Sequence, residues 1–176
     1  SISSFSVDLF YESSFSLEEQ EWLFLAMAIA FAIKIPMFPF HTWLPDAHVE
    51  APTSGSVVLA AILLKVGAYG FIRYVLPVVP LGAQSLDLYF IFLSLVAIVY
   101  VGIVAISQND MKKLIAYSSI SHMGFVTLGF FLIFQLFDNT ESSKDLVISL
   151  SGSMYQIISH GFVSAALFMC VGSIYD

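Results

Sequence analysis

The sequence predicts an all-α bundle of membrane-spanning helices, about five crossings, with the first one broken. Two observations lead there. Of 176 residues, 59% are apolar and only 11% charged, too little polar surface to coat a water-soluble core. Five apolar runs, each near the roughly 20 residues a helix needs to cross a bilayer, alternate with short polar or proline-containing segments. None of these runs has the polar outer face that a helix of a soluble bundle presents to water.

Residues 1–17 are read as a polar N-terminal loop or tail, and residues 18–176 as the central portion of a transmembrane domain. The first run, Trp22–Phe40, carries a single charge, Lys34. Only 13 residues run from Trp22 to Lys34, about 20 Å of helix, too short to cross. Pro36 and Pro39 follow at once, so a break is expected near Lys34-Ile35-Pro36. The stretch from His41 to His48 then completes the crossing as a short second half-helix. A helix broken inside a bilayer is tolerated only where protein or water lines the gap, and such breaks mark ion sites in transporters. The competing reading is a proline that ends a helix at the interface.

The second run, Val57–Leu76, carries Lys65 and Arg73, and Pro77 and Pro80 are expected to stop it. The third, Leu86–Ile106, has only Asp87, near its start. Asn109 and Asp110 then offer a cap for the fourth, Leu114–Phe137, which contains His122 but no formal charge. A polar loop, Asp138–Asp145, precedes Leu146–Tyr175, 30 residues without Asp, Glu, Lys or Arg. Arg73 and Lys144 on one side balance Lys112 and Lys113 on the other, so the positive-inside count gives no orientation.

Lys34 and Lys65 stand in otherwise apolar helices. A lysine at the bilayer centre costs roughly 2.5–3.5 kcal/mol on insertion scales, so it faces the bundle interior and marks a functional site by default. Desolvation disfavours the ammonium form and makes proton exchange accessible. Snorkelling to the interface, the alternative, suits Arg73 at its helix end better than Lys65. His122 follows the polar patch holding Ser118, Ser119 and Ser121, and an imidazole relays protons near neutral pH. Ser149, Ser153, Gln156, His160 and Ser164 recur at spacings of 4, 3, 4 and 4, one face of a helix. That stripe either lines a file of water or supplies interhelical hydrogen bonds. Alongside Lys34 and Lys65, it favours a proton path.

Other chemistries are excluded or weak. The net charge of −7 argues against nucleic acid. The single cysteine, Cys170, lies in an apolar stretch and is read as a small buried hydrophobe. His41, His48, Asp46 and Glu50 match no zinc spacing, and capping or interface roles are expected for the histidines. No glycine-rich dinucleotide loop, cysteine cluster or nucleophile–base set is present. Ser1 opens no charged n-region with a short apolar core, so no cleavable signal is expected. The chain is read as a mature product, a fragment or half of a split subunit.

KIPMFPFHTWLPDAHVEAPTSGS, from Lys34 to Ser56, closely resembles the antiporter-like membrane-arm subunits of respiratory complex I, the NADH:ubiquinone oxidoreductase. Its continuation from Val57, VVLAAILLKVGAYG, is similar to the chain 4 type, as are DMKKLIAYSSISHMGF from Asp110 and SHGFVSAALF from Ser159.

This resemblance implies a fragment of a roughly fourteen-helix fold with two inverted repeats, each holding a broken helix. Lys34 matches the family's lysine on the first broken helix, and Lys65 its connecting lysine on the next. His122 and His160 match histidines of the central hydrophilic axis; the patch and stripe read from the residues themselves add Ser118, Ser121, Ser153, Gln156 and Ser164 as supporting polar groups. The implied function is non-redox proton translocation coupled to quinone reduction. NADH, FMN, iron–sulfur clusters and ubiquinone are expected in other subunits, with no cofactor or metal in this chain. The family's partner glutamate for Lys34 and its distal lysine or glutamate lie on helices outside these residues. A separate chain is therefore expected to supply them, alongside the other membrane-arm subunits and membrane lipids as partners. The implied location is the mitochondrial inner membrane, or a bacterial plasma membrane. The alternatives are a subunit of a related cation/proton antiporter or membrane-bound hydrogenase, and a structural scaffold whose channel has degenerated.

Overall fold

The computed structural model describes residues 7–139 and 143–175. All regular structure among them is helical: α1 (Val7–Tyr11), α2 (Leu17–Lys34), α3 (Trp43–Glu50), α4 (Thr53–Val78), α5 (Pro80–Ser85), α6 (Asp87–Ile106), α7 (Met111–Asn139) and α8 (Ser143–Tyr175). Among the described residues, four helices are long and apolar enough to cross a membrane: α4, α6, α7 and, within α8, Lys144–Ile174. With α2 and α3 as the two halves of a broken segment, this is the all-α polytopic architecture expected.

α2 starts ahead of its apolar run because Ser16 and Glu19 form a capping box. Glu19 Oε2 accepts from the Ser16 backbone N–H at 2.9 Å and from its hydroxyl at 2.8 Å, which satisfies helix-start donors. These bonds, the backbone one foremost, hold the Glu19 carboxyl below its ordinary pKa. The helix ends at Lys34, two residues before Pro36, and the chain resumes helix at Trp43. The Trp43 indole donates to the Ile33 carbonyl at 3.1 Å, so the second half satisfies a group freed by the break.

Three π-helical turns interrupt the long helices, at Leu59–Leu63 and Phe71–Val75 in α4 and at Ala97–Val101 in α6. Each has a carbonyl taken by a side chain: Ala60 by Lys65, Arg73 by the Tyr11 hydroxyl at 2.6 Å, and Ile98 by the Ser121 hydroxyl at 2.9 Å. Widened turns are where side chains enter the backbone ladder.

The second of these corrects one sequence expectation. α4 runs through Pro77 to Val78, and the break falls at Val79. Pro77 has no N–H for the Arg73 carbonyl four residues back, and that carbonyl is occupied by Tyr11 instead.

The core gathers where α2, α4, α5, α6 and α7 meet. Phe24, Phe71, Phe130 and Phe131 are wholly buried, and half-buried Phe90 stacks on Phe131 at 4.6 Å and meets Phe24 edge-on at 5.1 Å. α7 and α8 approach so closely at Gly129 that a Cβ there would collide with Ser153, small residues permitting the contact. Asp110 accepts from the Lys113 N–H at 3.0 Å, capping α7 as its position suggested. Cys170 is exposed on α8 rather than buried; apolar composition alone does not say which side of a helix meets this chain.

Candidate functional site

Lys65 is near the middle of α4, residue 13 of 26 by position. His122 lies on α7 and His160 on α8, both well inside their helices. At 1.5 Å per residue each is far from either helix end. The three come together where α4, α7 and α8 meet.

The geometry is a row. The Lys65 ammonium bonds the Ala60 carbonyl of its own π turn and lies 2.8 Å from His160 Nδ1. The His160 ring centroid is 6.0 Å from that of His122. His122 Nδ1 is 3.4 Å from Gln156 Nε2. His160 is buried, and its Nε2 has no hydrogen-bond partner. Lys65 opens onto a groove lined by Ala61, Ile62, Ile158, Gly161 and Phe162, about 410 Å³ in volume. His122 opens with Ser118 and Ser121 onto another, of about 340 Å³, beside Gly102. Chemically, an amine against one ring nitrogen of an imidazole whose other nitrogen has no partner is an arrangement able to pass a proton.

The polar stripe of α8 divides into two kinds of residue. Ser149 donates to the Gly129 carbonyl at 2.9 Å, and Ser153 to the Val126 carbonyl at 3.2 Å. Ser164 bonds back to the His160 carbonyl at 2.6 Å. These hydroxyls fasten backbone, whereas Gln156 and His160 reach the row.

Lys34 is not brought into this row. It is exposed at the end of α2, and its side chain forms no hydrogen bond or ion pair with the described residues. Its backbone is nonetheless close to α4: a Cβ on Gly67 would stand 3.0 Å from the Lys34 Cβ and 2.7 Å from the Ile35 side chain.

The sequence reading missed the position of His48. Its spacing suggests a cap or interface role, yet it is wholly buried, stacked on Phe168 at 4.2 Å and 15°, with neither ring nitrogen bonded. The usable signal was the second half-helix itself, which carries His48 back into the protein. Its acidic neighbours Asp46 and Glu50 obscured this; Asp46 pairs outward with Lys113 at 3.2 Å. Among the described residues no three His, Cys, Asp or Glu side chains converge as a metal site.

The family described as NADH:quinone oxidoreductase/Mrp antiporter, TM, matches residues 3–176. The chain is 53% identical over 166 residues to NADH-quinone oxidoreductase subunit M of Rickettsia bellii, covering 94% of this chain and 31% of that one. It is 49% identical over 162 residues to NADH-ubiquinone oxidoreductase chain 4 of Chondrus crispus, covering 92% and 30%. Among solved structures, respiratory complex I from Thermus thermophilus with bound NADH matches with a TM-score of 0.84 and 31% identity, over 98% of this chain and 34% of the matched one. The chain thus spans about a third of the length of these relatives.

Proposed function

The chain belongs to the NADH:quinone oxidoreductase/Mrp antiporter transmembrane family, and on that premise we propose that it is the central part of a non-redox, proton-translocating membrane-arm subunit of NADH:ubiquinone oxidoreductase. The observation that carries this reading is the 2.8 Å contact between Lys65 Nζ and His160 Nδ1 at membrane depth. An ammonium placed there at a cost of a few kcal/mol has an acceptor in direct reach. The proton passes to Nδ1, leaves from Nε2, and His122 is the next titratable ring along the row. Lys34, without a partner among the described residues, awaits one on a helix outside this chain, as does the far end of the path. The redox groups, NADH, FMN, iron–sulfur clusters and ubiquinone, belong to other subunits of the complex. The partners are those membrane-arm subunits, lipid, and a separate chain completing the bundle, in the mitochondrial inner membrane.

Lys65→Met in the intact complex tests this reading. The expected result is normal assembly on a native gel with most proton translocation per NADH lost. Full translocation at full turnover in the assembled variant overturns it.

A further inference from the structure

His48 is a buried titratable ring that the row above does not use. Both its nitrogens lack a hydrogen-bond partner although the residue is wholly buried. A neutral imidazole carries one donor and one acceptor, and buried polar atoms left bare by protein are met by ordered water. Its surroundings tie it to two landmarks. On one side, α3 is followed by Ala51, whose carbonyl accepts from Lys112 at 3.4 Å, at the end of the bundle where α7 begins. On the other, His48 stacks on Phe168, which packs in one cluster with Ala60, the residue whose carbonyl holds Lys65. Phe168 follows His160 and Ser164 at intervals of 8 and 4 on α8, the same helix face. The buried Ser56 hydroxyl donates to the His48 carbonyl at 3.2 Å and ties the half-helix to α4.

We propose that His48 is a further proton-relay residue, acting through water bound to its two ring nitrogens between the Lys112 end of the bundle and the Lys65–His160 pair. This rests on the proton-path reading above. The competing role is mechanical: a flat ring that pins α3 to Phe168 and needs no nitrogens.

His48→Phe separates the two, because it keeps a flat ring against Phe168 and removes both nitrogens. In the intact complex, with Lys65→Met measured in parallel, the proton-to-electron ratio is read alongside the NADH dehydrogenase activity of the assembled band. A several-fold lower ratio in assembled His48→Phe, with that activity unchanged, is expected. An unchanged ratio in His48→Phe while Lys65→Met loses translocation overturns the role of His48 alone. Unchanged translocation in Lys65→Met overturns the parent reading, and this one with it. If His48→Phe does not assemble, a density map of the native complex that shows water decides. Ordered water at the ring nitrogens supports the relay, and a dry pocket or protein groups on both nitrogens overturns it.

Discussion

The phenylalanine core and the Lys65–His160–His122 row share α4 and α7, yet they are built on opposite principles. In the core Phe24, Phe71, Phe130 and Phe131 are wholly buried and touch ring against ring. In the row Lys65 and His122 open onto grooves, and the His160 Nε2 is unbonded. The core is closed among the described residues, whereas the row faces grooves and keeps an unpartnered nitrogen. Lipid tails are as apolar as leucine, so close packing rather than water exclusion holds membrane helices together. A region that packs fully therefore fixes the fold, and a region with unmet polar groups marks where chemistry was kept at the expense of packing.

Phe131→Ala is expected to have the largest effect on stability. Its transfer term is small in lipid, so the void dominates: on the order of 100 Å³ at about 24 cal/mol per Å³, roughly 2.4 kcal/mol. Lowered resistance of the complex to denaturing detergent, with an unchanged proton-to-electron ratio in what remains assembled, is the expected result. A changed ratio at unchanged stability would mean that core and row are not separable.

How far the sequence discloses these two regions depends on which forces are local. The break after Lys34 is legible because Pro36 acts within its own turn. The capping box at Ser16 and Glu19 is equally local, though the apolar run drew attention to Trp22 instead. Pro77 misled, because the carbonyl it leaves bare is satisfied by Tyr11, 62 residues away from Arg73. The stripe from Ser149 to Ser164 is legible as a helix face by its spacing. That Ser149 and Ser153 turn to the α7 backbone while His160 turns to Lys65 is set by the close approach at Gly129, which no single-helix pattern contains. His48 was illegible for the same reason: its surroundings come from distant parts of the chain, with Phe168 of α8 stacked on its ring.

An effect of opposite sign is expected at Lys65. Burying a lysine mid-membrane costs roughly 2.5–3.5 kcal/mol on insertion scales, partly offset by its two hydrogen bonds at about 0.6 kcal/mol each. Lys65→Met should therefore leave the assembled complex more stable by roughly 1.3–2.3 kcal/mol while translocation is lost. Thermal inactivation of NADH dehydrogenase activity in the complex reads the first quantity. A destabilised variant would show that Lys65 also helps to hold α4 against α8.

The smallest effect is expected at Ser153, which tests where the boundary between the two regions lies. Its hydroxyl is shared between the Val126 and Ser149 carbonyls, each at 3.2 Å, and presses against Gly129. Removing it leaves both carbonyls in helical backbone, so no acceptor is stranded, and the crowding at Gly129 is relieved. Interhelical hydrogen bonds in membranes average about 0.6 kcal/mol, and Ser153→Ala should cost no more than that, with the proton-to-electron ratio unaltered. Loss of translocation in this variant would make the whole stripe one water-lined file. The hydroxyl that now counts as packing would then belong to the row, and the contrast between a finished core and an open path would give way to a gradient along α8.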